Sequence, residues 1–421
     1  MTDQAKRVQR TYLLLTLLST LAASLIWGVN TLFLLDAGLS NTGAFTANAF
    51  FTLGQVIFEV PTGAVADVWG RRTSYLLGAA TLLLSTLLYL AMWRGAAPLW
   101  GWALASVFLG LGFTFFSGAT EAWLVDALTS SGYTGNLEAV FARGQAVSGA
   151  AMLAGSLAGG LIAQLTNLGM PYVLRCVLLG LTLLAAWAFM HDIGFVAQSG
   201  KSARQEVRNV LRASIDHGWR RPPVRWLMLS APFATGVGMY AFYATQPYLL
   251  ELYGDKNAFG IAGLAAAIIA GTEIVGGLTA ALLPRVFARR THVLLLTTSV
   301  SVVCLFGMGS THKFWIAIAA LVLWGLAFSA SRPVRQAYMN GIIPSAQRAT
   351  VLSFDNLMGS AGGVVAQPAL GRMADTAGYA ATYVASAAIQ VVALPFLLLA
   401  RRERAPSDPI DQAEPQRAEQ P

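Results

Sequence analysis

The amino-acid sequence points to an all-α polytopic membrane protein, with twelve transmembrane helices in two six-helix bundles related by a pseudo-two-fold axis. Three observations carry it: an excess of apolar residues, a charge distribution that alternates loop by loop, and a repeat at half the chain length. The 421 residues are 56% hydrophobic and 11% charged, whereas soluble domains run roughly 45–50% apolar and about 25% charged. In lipid every backbone polar group must be satisfied within the chain, which leaves helices or a closed barrel. A barrel reads as alternating segments of ~10 residues. The apolar runs here are continuous, so helices are expected.

At ~20 residues per crossing, spans fall near 11–35, 43–66, 73–93, 99–125, 138–165, 171–191, 226–250, 258–283, 292–310, 314–340, 349–371 and 379–400. The first run, Thr11 to Leu35, exceeds the ~7–15-residue core of a cleavable signal and reads as a retained span. With the N-terminus inside, 21 Lys/Arg fall in cytoplasmic segments, counting Arg143 at the inner end of span five, 4 in outer loops (Arg94, Lys256, Lys313, Arg372) and 3 in spans (Arg175, Arg332, Arg335). That asymmetry follows the positive-inside rule and places both termini in the cytoplasm. The net charge of +8 is thus spread over alternate loops, and no nucleic-acid partner is expected. The domains read as a bundle over 1–196, a cytoplasmic linker over 197–225, a second bundle over 226–400 and a disordered cytoplasmic tail over 401–421. In the linker, Arg204, Arg208 and Arg212 recur every four residues, a stripe suited either to anionic lipid headgroups or simply to solvent. The tail is rich in Pro, Gln, Asp and Glu, with little to bury.

The repeat supplies the architecture. Glu121-Ala122-Trp123 matches Gln336-Ala337-Tyr338, Ala139-Val140-Phe141 matches Thr350-Val351-Leu352, and Arg71-Arg72 matches Arg289-Arg290, at offsets of 215, 211 and 218 residues. Parallel six-helix repeats are the plan of proteins that rock two bundles about a midplane site.

The turn after the second span reads Gly63-Ala64-Val65-Ala66-Asp67-Val68-Trp69-Gly70-Arg71-Arg72. It resembles the G-x-x-x-D-x-x-G-[RK]-[RK] signature of the major facilitator superfamily, closest in motif to its proton-coupled drug and solute antiporters. The resemblance implies a major facilitator fold and an inner gate made by Gly63, Asp67, Gly70, Arg71 and Arg72, with Asp126 completing the charge cluster. Elementary chemistry agrees: glycines turn tightly and the charges can exchange partners. The second-half copy is degraded, with Ala281 and Ala288 at glycine positions and Arg285 where the acid belongs. Gly155-Ser156-Leu157-Ala158-Gly159-Gly160 is similar to the antiporter G-P-x-x-G-G run, with Ser for Pro, and small-residue helix packing explains it equally well. The arginine that drug antiporters carry in span four is absent near Ser106 and Val107.

Ionisable residues within spans are functional candidates by default. Glu59 and Glu273 each lie about 22 Å along their spans and are expected to be buried proton carriers or, alternatively, structural hydrogen-bonding groups. Gln55 and Pro61 flank Glu59, so a local helix break is expected there. Glu121, Arg332 and Arg335 lie near the cytoplasmic ends of spans four and ten, where Glu121 opposite either arginine would close the inner side. Arg175 reads as an anchor near the outer interface. Tyr240, Tyr243 and Gln246 share one face of span seven, with Trp27 and Asn30 in span one. Together they suggest a cavity wall for an uncharged or lipophilic solute, though such a stripe also serves packing.

Four His residues without metal-ligand spacing, two isolated Cys, and no GxSxG or GxxxxGK[ST] run argue against an enzyme, a metal site or a nucleotide-driven pump. No cofactor is expected beyond a proton or other ion gradient. The expected partners are the bilayer of a cell (inner or plasma) membrane and a small-molecule substrate, with the monomer as the working unit. The leading expectation is secondary active efflux of small amphiphilic compounds by alternating access. Proton-coupled uptake of a nutrient, or a sensor or assembly factor that does not transport, are the alternatives.

Overall fold

A computed structural model describes residues 2–95, 97–117, 119–197, 212, 215–279 and 286–410. Among them the structure is helical and loop, with one isolated bridge between Arg289 and Pro409. Among the described residues eleven stretches are long and apolar enough to cross a membrane. The last, Thr350–Arg402, has 53 residues, or ~80 Å of helix at 1.5 Å per residue, more than twice a ~30 Å hydrocarbon core. Its interior holds Gly378 at φ +79°, ψ 168°, a backbone geometry that glycine adopts without strain. The stretch therefore folds into two crossings, and the total is the expected twelve.

The spans sit within a few residues of the sequence reading, with two informative differences. Span one is broken: helix Asp3–Trp27 stops at Gly28 and a short helix, Asn30–Asp36, resumes. Span four is broken at Ser117 into Leu99–Phe116 and Ala119–Ser130. Span two, by contrast, runs unbroken as Asn41–Trp69 through Pro61, so the expected break beside Glu59 does not form. Spans three, five and six are Arg71–Arg94, Leu137–Leu165 and Met170–Phe189. Spans seven to ten are Pro222–Tyr253, Phe259–Thr279, Arg290–Ser310 and Phe314–Asn340. Local starts follow ordinary capping chemistry, in which a side-chain oxygen accepts from an otherwise orphan N–H. Ser40 caps span two through Gly43 N and Asn136 caps span five through Ala139 N.

Two compact units emerge. One comprises Met1–Arg208, Gly238–Ala270 and Gly363–Thr382; the other comprises Asn209–Val237, Gly271–Gly362 and Tyr383–Pro421. Spans seven, eight and eleven are each divided part-way along, so that one end of each packs with the first six spans. In this first unit, small residues set the crossings. A Cβ on Gly54 would fall 2.7 Å from the Val107 carbonyl oxygen, and one on Gly160 would fall 2.7 Å from Gly263 Cα. Gly155 and Gly159 lie directly against Ser24 and Leu25 of span one. The antiporter-like run thus brings span five against spans one and eight, which is the small-residue packing that lipid-embedded helices use. In the second unit Gly276 abuts Ser329 and Gly325 abuts Thr272, joining spans eight and ten.

The tail departs from expectation. Ala405, Ser407 and Asp408 are buried, and Asp408 caps span nine by accepting from Thr291 N at 2.9 Å and Thr291 Oγ1 at 3.1 Å. Arg290 Nη1 donates to the Ser407 and Pro409 carbonyls. The segment through Ile410 is ordered because it satisfies a helix start, a reason invisible in its polar composition. Residues 411–421 and most of the expected linker, Arg204 and Arg208 included, lie outside the described residues, as do Ala281 and Arg285.

Candidate substrate pocket and gate clusters

The break in span one is held open by one side chain. In an unbroken helix Thr31 N would donate to Trp27 O. Instead Gln246 of span seven inserts: its Nε2 donates to Trp27 O at 2.7 Å and its Oε1 accepts from Thr31 N at 2.9 Å. Insertion into the i→i−4 ladder is a recognised cause of helix breaks, and here both orphaned backbone groups are satisfied. Gln246 is 2% exposed, so the exchange costs no unpaired polar group.

Beneath this clasp lies a pocket lined by Trp27, Asn30, Asn48, Phe51, Phe113, Arg175 and Tyr243, among others, with a cavity of about 20 Å³, room for a single water. Tyr172 Oη donates to Asn30 Oδ1 at 2.9 Å and Asn30 Nδ2 donates to Asn48 Oδ1 at 2.8 Å. Arg175, read from sequence as an interface anchor, is 1% exposed. Its Nε donates to Thr86 Oγ1 at 3.1 Å, its Nη1 donates to Ala22 O at 3.0 Å, and its Cζ lies 5.8 Å from the Phe113 ring centre. The correction has a plain cause: sequence position gives depth along a helix, not the face turned inward. Of the suggested cavity residues, Trp27, Asn30 and Tyr243 line the pocket and Gln246 forms the clasp. Tyr240 does neither, donating to Thr382 Oγ1 at 2.8 Å and packing against Phe45.

At the arginine-rich end of spans two and three, Arg71 Nη1 meets Asp67 Oδ1 at 2.6 Å, and its Nε lies 4.0 Å from Asp126 Oδ2. The cluster the motif implies is therefore assembled. Gly70 has φ +100° and a Cβ there would collide with Asp192, so backbone and space both demand glycine. Gly63 has open space where its Cβ would be, among the described residues. Asp192, unflagged by the sequence, accepts from Arg72 N at 2.8 Å, while Arg72 Nη2 donates to Trp187 O.

The opposite end carries two further caps. Asp375 Oδ1 accepts from Asn41 N at 2.8 Å, and Oδ2 accepts from Thr42 N at 2.9 Å and Thr42 Oγ1 at 2.5 Å. Gln164 Oε1 accepts from Gly260 N at 2.9 Å. Span eleven thereby caps span two, and span five caps span eight. Burial pushes the Asp375 carboxyl up, but the hydrogen bonds from Thr42 and Asn41 together outweigh it and hold the group below its ordinary value. Tyr379 Oη adds a short bond to Asn41 Oδ1.

The intramembrane charges are arranged differently from expectation. Glu59 is exposed, not buried, and its Oε1 accepts from Ser117 Oγ at 2.8 Å, at the break of span four. Glu273 is exposed as well, pairing with Arg332 at 3.6 Å. Arg335, offered as a partner for Glu121, spends its guanidinium on Asp355, with Nε and Nη2 donating at 2.9 and 2.6 Å. It also donates to Ser230 Oγ and Leu227 O. Glu121 lies exposed in the first turn of Ala119–Ser130.

The distributed caps Gln164, Asp192, Asp375 and Asp408 were missed by sequence reasoning because each acts on a helix start remote in sequence. Asn48 was findable, as an amide inside an apolar run.

The chain matches the family model described as Major Facilitator Superfamily over residues 12–291 and 233–420. Its fold is similar to the crystal structure of the nucleoside transporter NupG, with TM-score 0.74 and 13% identity over 94% of this chain and 99% of that one. A bacterial homolog to the human lysosomal transporter Spinster, inward-facing and occupied, gives TM-score 0.69 and 16% identity over 96% and 98%. The D-xylose-proton symporter gives 0.64 and 15% over 92% and 96%. No curated protein matches the sequence. With the Asp67–Arg71–Asp126 charge cluster assembled and the family model spanning most of its length, this chain belongs to the Major Facilitator Superfamily and is a multi-pass membrane transporter.

Proposed function

We propose that the protein is a secondary active transporter working by alternating access, driven by protons, and that it exports small amphiphilic compounds from the cytoplasm. The observation that carries this reading is the pocket under the Gln246 clasp, where a broken helix places amides, a guanidinium and aromatic rings around one point. Discontinuous helices at a midplane site are how transporters present backbone and polar groups to cargo without exposing them to lipid. Coupling is assigned to Glu59 and Glu273. These residues stand 214 positions apart in the repeat, and their partners Ser117 and Arg332 stand 215 apart. The first half thus puts a hydroxyl where the second puts a counter-ion. Glu59 has no cation at its carboxyl among the described residues and accepts from Ser117, whereas Glu273–Arg332 is an ion pair that can exchange partners. Export rests on the resemblance of the Gly63–Arg72 turn and of the glycine run to antiporters. The polar share of the pocket keeps proton-coupled uptake as the second reading.

The purified chain in proteoliposomes, given a pH gradient and a panel of labelled amphiphiles, tests this. Proton-driven accumulation of a compound against its own gradient is expected, with Glu59→Gln abolishing the driven component while exchange of bound cargo persists. Gradient-driven movement that is unchanged in Glu59→Gln would remove Glu59 as the coupler, and movement in the opposite sense would select uptake.

A further inference from the structure

Two buried donors in the pocket lack an acceptor of matching kind. Arg175 is a guanidinium, which stays charged at any physiological pH, and it is enclosed by spans one, three, four and six. Its recorded acceptors, Thr86 Oγ1 and Ala22 O, are both neutral, and among the described residues no carboxylate lies in ion-pair range of it. Enclosing a charge without a counter-charge is expensive, and buried charges are ordinarily paired. Arg335, which is partly buried, obeys that rule by holding Asp355 through two bonds. Asn48 Nδ2 is the second donor. The relay from Tyr172 through Asn30 ends on Asn48 Oδ1, which leaves the Asn48 amide N–H₂ without a hydrogen-bond partner although the residue is 3% exposed. Both residues line the same pocket, and its remaining walls include Trp27, Phe51, Phe113 and Tyr243.

We infer that Arg175 and Asn48 form the recognition site for the anionic group of the substrate, and that the cargo is a small organic carboxylate with an apolar or aromatic body. This rests on the transporter reading above and narrows its amphiphile to an anion, where the aromatic wall alone suggested an uncharged solute. The cation supplies the charge, and the Asn48 amide supplies a directed N–H to the same acceptor. The rings take the body of the ligand once the walls part, since the cavity as it stands holds only about 20 Å³. Charge-assisted bonds of this kind discriminate strongly in a low-dielectric site, because the neutral analogue leaves the cation unpaired.

Binding to the full chain in detergent separates this inference from any claim about direction or coupling. Benzoate, phenylacetate and octanoate are each compared with their amides by thermal shift and calorimetry. At least one acid is expected to bind, roughly ten- to a hundredfold more tightly than its amide. Arg175→Gln should erase that preference and Arg175→Lys should retain part of it. Asn48→Asp, which adds a negative charge to the pocket without truncating Arg175, should also abolish acid binding and guards against a misfolded arginine variant. If every amide binds as well as its acid, or if Asn48→Asp binds acid like the parent, the anion site is wrong. Acid binding together with driven transport that Glu59→Gln leaves unchanged would leave the site standing and fault only the coupling.

Discussion

Two arginines show how far a single residue's role depends on its surroundings. Arg335 is bound by Asp355, Ser230 and the Leu227 carbonyl, so it ties spans seven, ten and eleven of its unit together. Removing one partner of an enclosed pair leaves an uncompensated charge, at a cost of about 3 kcal/mol. Asp355→Asn should therefore lower the melting temperature of the purified protein by several degrees. An unchanged melting point would mean that Leu227 and Ser230 suffice. Arg175 has the same side chain and is buried more deeply, 1% exposed against 20%, but has no acid in ion-pair range among the described residues, which is why the proposed cargo supplies one. Gly70 makes the complementary point about backbone: its φ of +100° and the Asp192 carboxylate against it leave no room for a Cβ.

Among the elements, helix starts do the organising. Four of them are capped by side chains from distant segments: Arg72 by Asp192, Thr291 by Asp408, Asn41 and Thr42 by Asp375, and Gly260 by Gln164. A carboxylate at a helix N-terminus gains both hydrogen bonds and the helix dipole. The Asp375 cap also fixes a pH dependence. Its carboxyl is held below its ordinary value while capping, so the contact contributes fully above the ordinary carboxylate range. It weakens as pH falls through that range and is lost below the depressed value. Between pH 6 and 8 the cap is constant, so it takes no part in the proton coupling proposed above. Asp375→Asn should weaken the contact by about 1 kcal/mol at neutral pH, read as faster hydrogen exchange at Asn41 and Thr42. It should also remove the acid sensitivity of that exchange. Equal exchange in parent and variant would show that the cap does not hold span two.

On the scale of the whole molecule the repeat is expressed as chemistry more than as sequence identity. Asp192 and Asp408 stand 216 residues apart, Gln164 and Asp375 stand 211 apart, and their capped partners Thr42 and Gly260 stand 218 apart. Equivalent positions keep the function of satisfying a helix start, while charge is retained in one pair and varied in the other. The alternating-access cycle proposed above requires the contact of span two with span eleven at Asp375 to open once per cycle. A disulfide between cysteines placed at Thr42 and Asp375, in a background lacking Cys176 and Cys304, should abolish transport reversibly and leave the melting temperature no lower. Full transport with the bond formed would exclude opening at this end.

The membrane fold, the span positions and the family were legible in the chain alone, because these follow from apolar length, loop charge and a local motif, all properties of contiguous residues. The sequence also determined that Trp27, Asn30 and Tyr243 belong near one site, since helical spacing puts them at similar depth. Tertiary structure decided which face each residue turns and what it meets. It took Tyr240 out of the cavity, brought Glu59 and Glu273 to exposed partners, committed Arg335 to Asp355, and drew Arg175 into the pocket. It also ordered the tail through Ile410 and broke span one through Gln246, 215 residues from Thr31. Rotation about a helix axis and pairing across the chain are set by packing against other elements, and no window of sequence contains that information.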